Sequence, residues 1–305
     1  MPERVTCNLC GSPSAEDVYT LKDYRLFIDD EDWTVVRCTS CGLGYLNPRP
    51  TRAEIERYYP AEYFSRRNEL ADRYRREAAY VDGHPGRLLD IGAARGDFLA
   101  VMKQRGWEVE GVEPFPQATN PYGLPIHRMS FPEDSTLPDE RFDVVTAWAV
   151  FEHLHDPKRA FLESARLLKP GGRLIIEVPN FRSIRARVAR MEDVPRHLYF
   201  FSPLTLRRYG DVAGLQLTLL KHVTDLFSGA SGREASRYWV ARALGKTTDD
   251  FYRIYRAGRS ERFRRWPLTA SAMTAAGAGA RLLLPDWLVR KARLSGEVVA
   301  IYRKS

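Results

Sequence analysis

The apolar run Arg87-Leu88-Leu89-Asp90-Ile91, closed by Gly92, leaves few folds open to this chain. Short, apolar and ended by glycine, it reads as a strand buried on both faces, as strands of parallel sheets are. A turn of small residues follows, Gly92-Ala93-Ala94-Arg95-Gly96, and then Asp97 to Arg105 with Phe98, Leu99 and Met102 at helical spacing. Glu108 to Val112 reads as the next strand and ends at Glu113, 21 positions after Gly92. A glycine-rich turn between a first strand and its helix lets a ligand approach the backbone, and an acidic residue closing the second strand can grip a ribose diol. The turn runs Gly-x-Ala-x-Gly, with Asp97 where a dinucleotide site places its third glycine. A pyrophosphate seated on the helix amides is therefore not expected.

The same rhythm continues along the chain. Strands are expected at Pro125–Met129, Phe142–Ala147, Arg173–Val178 and Leu215–His222, and helices at Pro157–Leu168 and Leu204–Ala213. Strands alternating with helices indicate an α/β doubly wound sheet with helices on both faces. A last strand is expected at Glu297–Tyr302, preceded by an insertion over 228–293 that holds Trp239, Tyr252, Tyr255, Trp266 and Trp287 among arginines. The expected division is 1–50, a metal ribbon; 51–85, a helical linker or lid; 86–227, the sheet core; 228–293, a helical insertion; and 294–305, the last core strand. In the linker, Thr51 with Glu54 three residues on reads as a capping box, and Tyr59, Tyr63 and Tyr74 are candidates to face a ligand.

All four cysteines fall in two pairs, Cys7-Asn8-Leu9-Cys10-Gly11 and Cys38-Thr39-Ser40-Cys41-Gly42. Two thiolates two residues apart can share one metal ion, and the glycine after each pair permits the backbone angles of a tight knuckle. Four thiolates favour zinc, with iron as the chemical runner-up. Such a set has no open position, so its role is expected to be structural. Trp33–Arg37 reads as the last strand of the small sheet between the pairs.

Several blocks further on resemble class I S-adenosylmethionine (SAM)-dependent methyltransferases. Arg141-Phe142-Asp143-Val144-Val145, through Phe151-Glu152-His153-Leu154-His155-Asp156-Pro157, is similar to their "FDVV…EHL.DP" segment, and Leu167-Leu168-Lys169-Pro170-Gly171-Gly172 to their "LLKPGG" turn. Pro195-Arg196-His197-Leu198-Tyr199-Phe200-Phe201-Ser202 is similar to a "PRHL.FFS" block of a bacterial subgroup. That subgroup often carries an N-terminal CxxC…CxxC zinc ribbon ending like Cys41-Gly42-Leu43-Gly44-Tyr45-Leu46-Asn47-Pro48-Arg49-Pro50. The resemblance covers residues 1 to about 225, and Ala94 departs from a position often held by glycine.

The resemblance implies a Rossmann-like sheet that binds SAM. Asp90, Gly92, Ala93, Gly96 and Phe98 would line the methionine part, Glu113 would hold the ribose hydroxyls, Glu133 or Asp134 would lie near adenine, and Ala147 would belong to the same site. Cys7, Cys10, Cys38 and Cys41 would hold structural zinc. His153, at the carboxyl end of the fourth strand, would be a base or acceptor ligand, with Glu152 beside it and His197 on a second loop. Tyr199 and Arg196 are weaker candidates, the arginine as a holder of substrate phosphate. His84, His127 and His155 carry no sequence signal of a role.

The expected acceptor is a small molecule or glycan, with O-methylation favoured over C-methylation; the sugar preference comes from the resemblance alone. The formal charge of +8, with 47 Lys and Arg against 39 Asp and Glu, leaves two rivals. One is a hydrophobic or lipid-linked acceptor at a membrane surface, reached through an amphipathic Trp266–Val289 segment. The other is a nucleic-acid-binding zinc-ribbon protein, disfavoured because Ala147-Trp148-Ala149-Val150 stands where base-amino methyltransferases usually show an Asn/Asp-Pro-Pro-Tyr/Phe motif. Nothing at the amino end resembles a signal peptide, and the expected compartment is the cytoplasm.

Overall fold

A computed structural model describes residues 1–64, 71–184, 186–187, 193–224, 231–256, 261, 264–283 and 286–305. Parts of the expected 51–85 linker, of two arginine-rich stretches (182–196 and 256–265) and of the 266–289 segment therefore lie outside the described residues.

The core is a seven-stranded sheet. In chain order its strands are β4 (Arg87–Ile91), β5 (Glu108–Val112), β6 (Ile126–His127), β7 (Phe142–Trp148), β8 (Leu168–Pro179), β10 (Leu215–Val223) and β11 (Glu297–Lys304). They lie side by side as β10-β11-β8-β7-β4-β5-β6, with β11 running antiparallel to both neighbours. Alternation along each strand feeds two separate cores. Leu89, Val145, Leu174 and Ile176 pack on one face with Phe161 and Leu167 of helix α4 (Pro157–Leu167) and Leu206 and Tyr209 of α5 (Pro203–Val212). Leu88, Val144 and Ile175 pack on the other with Ala78 of α2 (Ala71–Ala78) and Phe98, Leu99 and Met102 of α3 (Asp97–Gln104). The two sheet-covering helices start where the sequence places a cap followed by proline. Asp156 accepts from the Arg159 amide at 3.0 Å ahead of Pro157, and Ser202 forms a capping box with Thr205 ahead of Pro203.

One buried group on this sheet sets a pH dependence. Glu177 of β8 is fully buried, and neither of its carboxyl oxygens has a hydrogen-bond partner among the described residues. Burial, then the nearby Glu297 and Glu152, pushes its carboxyl well above the ordinary range. Its stability contribution is thus fully present below the ordinary carboxylate pKa and is lost as pH rises through the raised value. Glu177→Gln, which cannot ionise, is expected to melt above wild type at pH 8, with a gap that shrinks towards pH 5. A gap constant across that range would show that Glu177 is not the titrating group.

The N-terminal ribbon is an antiparallel sheet of β1 (Ala15–Leu21), β2 (Trp33–Cys38) and β3 (Gly44–Leu46). Trp33–Arg37 lies in β2, the last strand between the cysteine pairs as expected, but the sheet continues beyond it. Two more follow, because β9 (Tyr199–Phe200), from the "PRHL.FFS" block, completes the sheet by pairing with β3. Gly44 sits at that junction, where a side chain would collide with Phe181 at 2.8 Å and the Phe200 Cβ at 2.9 Å. Asn8, inside the first cysteine pair, receives the Lys158 amide at 2.9 Å and the Tyr209 hydroxyl at 3.0 Å, and donates to Asp156 at 2.9 Å. The ribbon is thus docked on the amino end of α4.

The insertion is helical, with α6 (Ser231–Ala243), α7 (Thr248–Arg256) and two further helices, Pro267–Leu283 and Asp286–Lys291. Pro267–Leu283 packs against α6, with Ala270 and Met273 buried and Ser236 Oγ donating to the Ala276 carbonyl at 3.2 Å. Tyr252 stacks on Tyr24 of the ribbon at 4.1 Å. Trp239 and Leu268 are exposed. No helix among the described residues is long and apolar enough to cross a membrane.

Candidate functional site

The carboxyl ends of β4, β5 and β7 open into a cleft of about 1260 Å³. One wall is the β4–α3 turn. Gly92 has φ +72°, and a Cβ there would meet Val150 Cγ2 at 2.5 Å, so the residue must be glycine for the chain to pass. Ala94 takes a left-handed conformation too, at φ +46°, in the position often held by glycine. Asp90, 3% exposed, accepts from Thr146 Oγ1 at 2.6 Å, and burial holds its carboxyl well above the usual range. Glu113, also buried, accepts from the Ala94 amide at 3.0 Å and the Phe115 amide at 3.0 Å, which ties the end of β5 to the turn. Burial raises its pKa against those amides.

Of the sequence candidates, Asp90, Gly92, Ala93, Phe98, Glu113 and Glu133 line the cleft, Glu133 in an ion pair with Arg52. Gly96 and Ala147 do not. Gly96, at φ +83°, shapes the start of α3 against Leu124 and Ile126, and Ala147 lies inside the sheet between Ile91 and Ile176. Asp134 stays in its own turn, its side chain bonded to the Ser130 amide. Tyr59, Tyr63 and Tyr74 all reach the cleft, together with Phe64 and Phe115. Tyr59 stacks on Phe115 with centroids 4.5 Å apart.

Residues that the sequence did not single out also arrive there. Arg73 of α2 lines the cleft and pairs with Glu77 at 2.5 Å. Trp148 lines it with an indole N–H that is buried and has no partner among the described residues. Arg25 comes from the ribbon, paired with Asp193 and 4.4 Å over the Tyr63 ring. No local pattern marks these three, since each is placed by contacts distant in sequence.

His153 ends the 3₁₀ turn Phe151–His153 and lines the cleft. Its Nδ1 lies 2.9 Å from the Arg196 carbonyl and 2.9 Å from the Tyr59 hydroxyl. A carbonyl only accepts, so Nδ1 carries the proton and Nε2 the lone pair. Burial, then the neighbouring His197, lowers its pKa to about 3, so the ring is neutral at physiological pH. Glu152 and His197 lie beside His153 but do not line the cleft. His155 lines it, donating to the Pro50 carbonyl at 3.1 Å, whereas His127 bonds Glu110 at the sheet edge and His84 is exposed. Arg196 is fully buried between Asp23, at 2.5 Å, and Asp193, at 2.7 Å. It joins ribbon to core and cannot hold a substrate phosphate. Tyr199, buried on β9, is hydrogen-bonded to Arg49 and the His155 carbonyl.

The four cysteines form a second constellation. The Sγ atoms of Cys7 and Cys41 are 3.4 Å apart, those of Cys10 and Cys38 are 3.6 Å apart, and all four lie within 4.8 Å of one another. A tetrahedral ion bonded at ~2.3 Å sets sulfurs roughly 3.8 Å apart, so the set fits zinc. The knuckles have the expected turns, Gly11 N to Cys7 O at 2.8 Å and Gly42 N to Cys38 O at 2.9 Å, with both glycines at positive φ. Burial raises Cys41 to about 11; at Cys38 burial is outweighed by the Cys41 and Ser40 amides, which bring it to about 7.

The methyltransferase domain family aligns with residues 61–220, over half of the chain. The chain belongs to that family. This methyltransferase is 30% identical over 168 residues to the ubiquinone biosynthesis O-methyltransferase of Azoarcus sp., covering 48% of this chain and 72% of that protein. Against the enzyme of the same name from Aeromonas salmonicida it is 30% identical over 152 residues, covering 42% and 62%. The second of these alignments spans less than two thirds of the relative's length. Among solved structures, a chain from the complex between the Haloferax volcanii Trm112 methyltransferase activator and a methyltransferase superposes with a TM-score of 0.53 at 18% identity, covering 83% of this chain and 97% of that one. A SAM-dependent methyltransferase from Archaeoglobus fulgidus superposes at 0.50 with 19% identity, covering 81% and 98%. The fold is thus the Rossmann-like class I methyltransferase sheet, and the protein is a SAM-dependent methyltransferase.

Proposed function

We propose that this methyltransferase transfers the methyl group of SAM to an oxygen of a small-molecule or glycan acceptor. The observation that carries the reading is the aromatic wall of Tyr59, Tyr63, Phe64 and Phe115, which lines the same cleft as Asp90 and Gly92 and meets His153 through the Tyr59 hydroxyl. Aromatic faces of this kind take a planar ring or the apolar face of a sugar. That the relatives are O-methyltransferases supports oxygen as the methylated atom. SAM supplies a methyl on a sulfonium, which an acceptor lone pair displaces. The protein's part is positioning and control of one acceptor proton.

In this reading Asp90, Gly92, Ala93 and Phe98 hold the methionine end, and Arg73 supplies positive charge for its carboxylate. Glu113 accepts the ribose hydroxyls. Cys7, Cys10, Cys38 and Cys41 hold zinc, which has no open position and takes no part in the chemistry. Glu113→Ala should weaken SAM binding about tenfold or more, because hydrogen bonds to a buried carboxylate are the strong kind. Calorimetry of SAM binding checks this, and an unchanged affinity would remove Glu113 from the cofactor site.

The reading is tested by incubating the protein with methyl-labelled SAM and a cell extract split into polar small molecules, glycans, lipids, nucleic acids and proteins. Label in the small-molecule or glycan fraction is expected. Label in lipid would favour a hydrophobic acceptor at a membrane surface, a reading to which the exposed Trp239 and Leu268 of the insertion contribute.

A further inference from the structure

In the wall behind the aromatic cleft, Glu152, His153 and His197 bring one carboxylate oxygen and two ring nitrogens within 4.8 Å of one another. Two distant segments build this cluster. Glu152 and His153 come from the turn after β7, and His197 from the loop before β9, joined by the Leu198 amide donating to the Glu152 carbonyl at 2.7 Å. Glu152 is 1% exposed. His153 donates its Nδ1 proton to the Arg196 carbonyl, leaving the lone pair on Nε2, which lies 4.0 Å from Glu152 Oε1. Metal-binding histidines commonly donate their other ring N–H in this way, which fixes tautomer and orientation. The two rings are 4.8 Å apart between centroids and inclined at 72°. Imidazoles sharing one ion at ~2.1 Å hold their centroids roughly 5 Å apart.

We propose that Glu152, His153 and His197 form a binding site for a divalent first-row transition-metal ion, distinct from the four-cysteine site. Two imidazoles and one carboxylate make a nitrogen–oxygen donor set that leaves coordination positions open. His153 lines the cleft, so the ion sits in its wall, within reach of an acceptor oxygen. A hydroxyl bound there gives up its proton to water in the cleft more readily than a free hydroxyl does. That use of the ion rests on the proposed oxygen methylation, whereas the site itself does not.

Manganous ion is the probe, because its preference for nitrogen and oxygen over thiolate keeps it out of the cysteine cluster. The full-length, zinc-loaded protein is titrated with Mn²⁺ and free Mn²⁺ is read by electron paramagnetic resonance. One ion bound per chain is expected. Glu152→Gln and His197→Ala should each weaken binding at least tenfold, about the minimum for loss of a ligand, while SAM binding, measured alongside, reports that the fold is intact. Wild type that binds no Mn²⁺ overturns the site, as does binding that both substitutions leave unchanged. Stoichiometric Mn²⁺ in wild type, lost in the variants, supports the site even if no acceptor oxygen is methylated, so the two readings fail separately.

Discussion

Turnover of a His153→Ala variant is expected to fall at least about tenfold, with SAM affinity close to that of wild type. The ring meets the cleft from the turn after β7, whereas Asp90, Gly92 and Glu113 come from the ends of β4 and β5. Removing the imidazole therefore leaves the cofactor wall intact. What is lost is an imidazole in the cleft wall whose orientation is locked, since the Arg196 carbonyl and the Tyr59 hydroxyl both hold Nδ1. The pH profile carries further information. With its pKa lowered to about 3, His153 remains neutral from pH 5 to 9, so its own titration should not appear in the profile of the wild type. Steady-state rates with the labelled acceptor and calorimetry of SAM binding check the split between turnover and affinity. Unchanged turnover would exclude His153 from the mechanism; a loss of SAM affinity of similar size would mean that it acts on the cofactor.

The second large effect is expected from Cys38→Ser, or from stripping the zinc proposed for the ribbon with a chelator. Structural zinc contributes on the order of 10 kcal/mol to small domains, and its loss unfolds them. In the stripped protein, Cys7, Cys38 and Cys41 remain as buried thiols. The damage should not stay local. The ribbon supplies the partner strand of β9, Asp23 against the fully buried Arg196, and Arg25 in the cleft. Withdrawing one partner of a buried ion pair costs about 3–5 kcal/mol, and of its two carboxylates Arg196 would keep Asp193. Methyl transfer should therefore be abolished while SAM binding, carried by β4, β5 and α3, survives in weakened form. Zinc content, protease sensitivity of residues 1–50 and SAM affinity check the three parts. Full activity in metal-free protein would show that the ribbon is a passive appendage.

Between them these effects locate where sequence reasoning stops. The strand Arg87–Ile91, its turn, the acid at Glu113 and the paired cysteines are legible because each is a contiguous pattern whose chemistry depends on neighbours a few positions away. The last strand at Glu297–Tyr302 was legible in the same way, whereas its antiparallel direction is set by pairing with β8 and β10. Resemblance extended this to the family, but it carried Gly96 and Ala147 into the site, and the cleft does not include them. Gly96 is needed for its backbone angle and Ala147 for its place between two strands.

What only the tertiary structure decided is which distant residues share a space. The sequence marks Arg196 as a cation free to bind phosphate, yet folding buries it against Asp23, 173 positions away. It offers no sign that β9 would complete the ribbon sheet or that Arg25 would enter the cleft. Periodicity and spacing report which surface of an element is apolar and what a short loop can bind. The pairing of charges and ligands across the chain follows from how those surfaces are packed together, a long-range outcome that no window of local sequence contains.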